Sequence, residues 1–305
     1  GISPGLQQRT GGMSGMRCFR PGWPGITSIS TSRKRMRKRS RKHGIIKGGY
    51  GVIRGRLLRG NSGKTRINHT VMYHLKKQTM TRIKQNPNGH GSLKDIQLLI
   101  NKNQSLIDSK IKKSFKDLSE KEIIWTSPLE SDDFAEYRDN DFLEKVGLKP
   151  DEIELNKFWP NMGPQWDALA KTKEGDIILV EAKANIPEIV SPATGARYLS
   201  RKLIDQSLLE TKEYLNIKNN IDWSGRLYQY TNRIAHLFFL REKCNKNAYL
   251  INVYFIGDKS VNGPESILEW QGALTVLYTY LGLTHHKLSK YMADIFIDLN
   301  DLNKE

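Results

Sequence analysis

Apolar and polar residues recur along the last two thirds of this chain with two periods, and the switches between them mark its elements. From Ser92, "SLKDIQLLINKNQSLIDSKIKKSF" sets Leu93, Ile96, Leu99, Ile100, Leu106 and Ile111 at helical spacing, with Ser92 as a candidate N-cap. "EIIWTS" (122–127) reads as a short strand, and "SDDFAEYRDNDFLEKVG" as a helix opening at Ser131 and stopping at Gly147. Two strands follow over 165–171 and 176–184, then helices over about 195–216 and 225–243. "AYLINVYFIGD" (248–258) is a buried-type strand, "PESILEWQGALTVLYTYLG" (264–282) a helix, and "MADIFIDL" (292–299) a last strand. Helices and strands interleave through one core, which predicts a single α/β domain.

The pair of strands at 165–184 raises the chemical question. "KEGD" (173–176) is a polar, Gly-containing turn between two strand-like runs, the pattern of a β-hairpin. Centring the turn between Glu174 and Gly175 sets Asp167 opposite Ala182, one residue from Glu181 and correct to one or two residues. The two carboxylates then approach within roughly 5 to 8 Å across the hairpin. Alternation gives Ile177, Leu179, Glu181 and Lys183 one face. Four consecutive apolar residues, Ile177 to Val180, therefore run into a carboxylate and an ammonium.

Neighbouring acids at the end of a buried strand repel and lose solvation. A divalent cation relieves both, and Mg²⁺ is commonly held by one or two carboxylates plus waters. Lys183 on the same face is placed to orient or deprotonate a water on such a cation, or to stabilise phosphoryl charge. The competing reading is an exposed salt-bridge cluster at a sheet edge, against which the Ile177 to Val180 run argues for a central strand.

An Asp followed by Glu-x-Lys on the next strand resembles the PD-(D/E)xK nuclease superfamily, the restriction-endonuclease-like fold. The matching residues are Asp167, Glu181 and Lys183, with the Ala182 carbonyl as the further oxygen ligand, and the likeness covers about residues 122–258. The chain departs from the pattern in having Trp166 before the Asp, with its nearest proline at Pro164. The resemblance implies a mixed β-sheet core flanked by α-helices and phosphodiester cleavage dependent on Mg²⁺, with Mn²⁺ as substitute. The implied partner is nucleic acid, DNA ahead of RNA. Members often add an acid from the helix before the Asp strand, for which Glu136 is the candidate; an ordinary solvated helix acid is the alternative. They also carry a polar residue on a later helix. Gln229, Arg233 and His236 fall at i, i+4 and i+7 on one face of "LYQYTNRIAHLFFLRE". Gln229 is the candidate for the site and Arg233 for a phosphate contact; a merely wet face is the competing reading. Arg197, Arg201 and Lys202, just after the site strand, are candidates to grip a nucleic-acid backbone.

Charge qualifies this picture. The net charge is +17, but residues 1–94 hold 22 Lys and Arg and no acid. The remaining 211 residues carry 27 basic and 32 acidic side chains, a net of −5, so the overall charge says nothing about a binding face on the folded part. Residues 1–79 form a basic, acid-free segment without long apolar periodicity, expected to be disordered. It reads as a non-native tail upstream of a start at Met80, with a nucleic-acid-binding arm or a targeting segment as alternatives. Residues 80–305 form the nuclease-like domain. "RGNSGKT" (59–65) fails as a phosphate-binding loop because Leu58 stands where glycine is required.

Two cysteines, Cys18 and Cys244, exclude a disulfide framework, and no apolar run approaches the length that spans a bilayer. The expectation is a cytoplasmic protein without membrane contact. Besides a nuclease, two other functions fit: a non-catalytic nucleic-acid binder using the basic arm, and an inactive nuclease-fold interaction module.

Overall fold

The computed structural model describes residues 81–302. The expectations for residues 1–79 and the start at Met80 lie outside the described residues. In chain order the main elements are β1 (Arg82–Ile83), α1 (Ser92–Lys102), α2 (Gln104–Ser114), β2 (Ile123–Ser127), β3 (Glu136–Tyr137) and α3 (Asp139–Lys145). Then follow β4 (Ala168–Thr172), β5 (Ile177–Lys183), α4 (Tyr198–Tyr214), α5 (Tyr228–Phe238), β6 (Ala248–Ile256), α6 (Ile267–Leu281) and β7 (Met292–Asp298).

Five strands make a mixed sheet in the order β2-β4-β5-β6-β7. The β2/β4 and β4/β5 pairs are antiparallel, while β5/β6 and β6/β7 are parallel. Its centre is β5 and β6, the strands with continuous apolar runs, as burial on both faces demands. Ile177, Leu179 and Leu250 face a core completed by α3 to α6, through Phe142, Ile204, Leu208, Ile234, Leu237, Trp270 and Leu274. Ile178, Val180, Ala182, Ile251 and Val253 face Ile96, Leu99 and Ile100 of α1 with Ile107 and Ile111 of α2. The result is a three-layer α/β arrangement with the mixed sheet in the middle.

Three expectations change. The first helix divides at Asn103, whose φ of −127° and ψ of 34° are not helical. Gly91 with φ 65° takes the cap position of α1, and the Ser92 hydroxyl donates instead to Glu188 Oε2 at 3.0 Å. No helix opens at Ser131. Asp133 and Phe134 both take left-handed backbone (φ 54° and 50°), and Asp132 is drawn to Arg82, Tyr137 and Lys145 rather than capping a helix. Glu136–Tyr137 pairs with Arg82–Ile83 as a two-stranded ribbon, and the helix begins only at Asp139. Glu136 is therefore a strand residue.

The hairpin forms as expected, shifted by one. Thr172 N donates to Asp176 O at 3.0 Å, and Gly175 supplies the φ of 89° that closes the turn. The observed pairs Ala168↔Val180 and Leu169↔Leu179 carry Asp167 to the level of Glu181 rather than Ala182. A shift of one is what decides which side chains meet.

α1 also buries a carboxyl. Burial, then the neighbouring Asp258 and Glu188, push Asp95 up to about 8 against the opposing pull of Lys94. A group whose folded pKa is raised contributes its stability below its unfolded pKa of about 3.9, and that contribution is lost as pH rises through the folded value. Thermal stability should therefore fall between about pH 4 and pH 8. Asp95→Asn should flatten that slope, raising Tm by several degrees at pH 8 and changing it little near pH 4. Parallel melting curves for the two proteins would refute the buried acid.

Candidate functional site

The chemistry gathers where β5 ends. Glu181 and Lys183 share the face of Ile177 and Leu179, and Lys183 Nζ is ion-paired to Glu181 Oε1. Asp167, one residue before β4, accepts a hydrogen bond from Ala182 N at 2.7 Å through Oδ2. In an extended strand the N–H and C=O of one residue project to the same side, so the Ala182 carbonyl also turns toward Asp167. A third carboxyl comes from the ribbon. Trp166 N donates to Tyr137 O at 3.0 Å, which sets Glu136 beside Asp167. Glu136 is buried and accepts from Gln85 Nε2 at 2.9 Å and from Gln165 Nε2.

Arg233 reaches this cluster from α5. Its Nε donates to Glu181 Oε2 at 2.7 Å, Nη2 to Gln165 O at 2.7 Å, and Nη1 to Asn232 Oδ1 at 2.9 Å. Glu181 and Arg233 are each 5 % exposed at the side chain, so the pair sits in a dry environment. Arg233, the candidate for a phosphate contact, is thus engaged by Glu181, Gln165 and Asn232. Its guanidinium is buried on the Glu181 side of the helix, because an ionised Glu181 needs a cation that burial denies it from water.

The electrostatics divide the three acids. For Glu181 burial favours the neutral acid, but the Arg233 and Lys183 charges outweigh it and hold the carboxyl below its usual range. Asp167 is pushed well above the usual carboxylate range, by burial first and then by Glu181, against the pull of Lys183. Burial brings Glu136 up to about 7 despite hydrogen bonds from Gln165 and Gln85. Lys183 is shifted upward: burial would lower it, yet Glu181 and Asp167 hold its proton. Lys183 is accordingly an ammonium that orients and neutralises rather than a base at neutral pH.

The remaining expected residues scatter. Gln229 lines a cavity of about 20 Å³ with Glu181, Lys183, Ile189, Tyr230, Asn252 and Tyr254. That space has room for about one water, so any polymeric substrate must approach from outside it. His236 belongs to the core: its ring lies 4.8 Å from that of Trp159, Nδ1 bonds Asn232 O at 2.8 Å, and burial lowers it to about 3. Arg201 pairs with Asp205 at 2.7 Å and with Ser224, leaving Arg197 and Lys202 as the exposed cations of the trio.

One feature the sequence reading passed over lies in the neighbouring strands. Glu181 aligns with Asn252, and Asn252 with Asp294, in a polar row across β5, β6 and β7. Asn252 Nδ2 donates to Asp294 Oδ1 at 3.0 Å, and the Tyr278 hydroxyl to Asp294 Oδ2 at 2.5 Å. The signal was Asn252 itself, a lone amide inside the apolar run "AYLINVYFI".

No family description, curated protein or solved structure matches this chain. Among the described residues, no group of three or more His, Cys, Asp and Glu forms a ready-made metal cage, and no helix is long and apolar enough to cross a membrane.

Removing Arg233 strands a buried carboxylate. Arg233→Ala should cost about 3–5 kcal/mol in urea unfolding, and Arg233→Ala with Glu181→Ala distinctly less than the sum of the two single losses. Additive losses would mean the two side chains are not coupled.

Proposed function

We propose that this chain is a metal-dependent phosphodiesterase of the nuclease type, working at Asp167, Glu181 and Lys183. The observation that carries the reading is the Asp167 carboxyl group accepting from Ala182 N, between Glu181 and Lys183 on the adjoining strand.

The donor chemistry fits Mg²⁺ or Mn²⁺. Asp167 Oδ1 takes no hydrogen bond among the described residues, the Ala182 carbonyl turns to the same side, and Glu181 adjoins. These are hard oxygen donors, the set that Mg²⁺ prefers with waters completing its shell. Asp167 is also a carboxyl whose ionisation is suppressed by burial and by the neighbouring Glu181, against the pull of Lys183. When bound, the ion supplies Lewis acidity toward a phosphoryl oxygen and an acidified water. The protein's own part is positional. Arg233 fixes Glu181 from behind, and Lys183 sets a positive charge beside it for a phosphoryl oxygen. Gln229 borders the small cavity where a water can rest, and Glu136, with its pKa near 7, is suited to exchange a proton at neutral pH. DNA is the favoured substrate over RNA, on the strength of the family resemblance alone. Arg197 and Lys202 are the exposed cations offered to its backbone.

A second reading has its own observation. Both Glu181 oxygens are already ion-paired, one to Lys183 and one to Arg233, which suits an inactive module whose charges balance without an ion.

Calorimetric titration of Mg²⁺ and Mn²⁺ into the full chain separates the two. The nuclease reading expects binding that disappears in Asp167→Ala/Glu181→Ala, and metal-dependent cleavage of DNA that falls at least 100-fold in Lys183→Ala. No metal binding in the folded wild type would leave the inactive module, whereas undiminished cleavage by Lys183→Ala would overturn the mechanism built on Lys183.

A further inference from the structure

α6 carries an apolar face that nothing in the described structure covers. Its inner side, Trp270, Leu274, Leu277 and Leu281, is buried against the sheet. Its outer side shows Leu268 at 76 %, Val276 at 70 % and Tyr280 at 55 % exposure, with Ile267 beside them. Leu268, Gly272, Val276 and Tyr280 follow at i, i+4, i+8 and i+12, one stripe along the helix. Gly272 opens the middle of it, since a Cβ built there meets nothing within 4 Å. Glu269 is the single charged residue in the whole of Ile267–Leu281. A helix apolar on both sides is one that expects a second packing partner.

We infer that the partner is a second copy of this chain, with the two α6 helices packed antiparallel about a two-fold axis near Gly272 and Val276. Charge selects the occupant. Glu265 and Glu269 are exposed at the start of α6, whereas from Trp270 to Ala293 there is no acid and the loop beyond the helix exposes Lys287 and Lys290. An antiparallel copy sets the acidic end of each helix against the basic end of the other, and the uncharged stripe meets itself without repulsion. This is the self-complementarity that an isologous contact requires. The acid-free first 94 residues suit the stripe less well, because they bring Lys and Arg to a surface whose middle offers no acid. A helix of 15 residues is about 22 Å long, so the contact lies at the small end of stable interfaces and implies micromolar self-association. The inference does not depend on the nuclease reading.

The test is sedimentation velocity on the full chain from about 1 to 100 µM, a range bracketing micromolar affinity. The expected result is a concentration-dependent shift from monomer to dimer that Val276→Glu weakens at least tenfold with an unchanged circular dichroism spectrum. Should Val276→Glu fail to fold, the charge exchange decides instead. Glu265→Lys should weaken the dimer, and Lys287→Glu added to the same chain should restore it. A monomer throughout, a dimer indifferent to Val276→Glu, or charge variants without loss and rescue would each overturn the assignment. So would a monomer that floats with phosphatidylcholine vesicles through this stripe, which would give the face to a lipid surface.

Discussion

Glu181 places a full negative charge near the end of a central, buried strand, and the surrounding architecture answers that single demand. A carboxylate there loses its hydration and would ordinarily take up a proton. It stays ionised because Lys183 comes from its own strand and Arg233 from a helix 52 positions on in sequence. The Arg233 guanidinium also holds the Gln165 carbonyl, two residues before Asp167, so one side chain pins the helix, the centre of the sheet and the strand that delivers the second acid. Buried ion pairs seldom add net stability over an apolar replacement, but breaking one is costly. Here the pair fixes positions. It orients α5 over β5 and sets the register at which Asp167 meets the Glu-x-Lys segment.

The fold was largely legible because its strongest signals are local. Apolar periods marked the sheet strands β2 and β4 to β7, the long helices on either side and the hairpin turn, and Gly175 supplied the φ its turn needs. The misses came where a distant partner overrode local preference. Ser131, Asp132 and Asp133 look like a helix start, but Arg82, Tyr137 and Lys145 compete for Asp132 and turn the segment into a ribbon edge. Nothing near position 131 in sequence announces Arg82. Ser92 missed its cap for a simpler reason: the glycine before it takes a positive φ that a side-chain cap does not require.

The site was legible in its members more than in its electrostatics. Asp167, Glu181 and Lys183 were readable from a hairpin and an alternation, and a one-residue slip in register left them adjacent. Glu136 arrived beside them on a strand rather than on the expected helix, through the pairing of its neighbour Tyr137 with Trp166, which no periodicity signals over two residues. Arg233 was readable as a polar residue on α5 but not as the counter-ion of Glu181, since helical spacing gives a face and not what the face meets. His236, one helical turn beyond it, shows the same limit. Its backbone partner at Asn232 and its aromatic neighbours make it a core residue.

Charge balance sets what the cluster can accept. Lys183 and Arg233 bring two positive charges, Glu181 answers one, and Asp167 and Glu136 are both held toward their neutral forms by burial. Without an added ion, the excess of positive charge favours an anionic group such as a phosphoryl oxygen over a cation. On the proposed nuclease reading a divalent cation would have to draw the proton from Asp167, so its binding would release protons and strengthen as pH rises. Asp167 and Glu136, once ionised, would then supply the negative charge that lets metal and phosphate share the site. On that reading a lone anion favours the protonated Asp167 and a divalent cation the ionised one, so the two oppose each other through this proton and are reconciled only by their direct contact with one another.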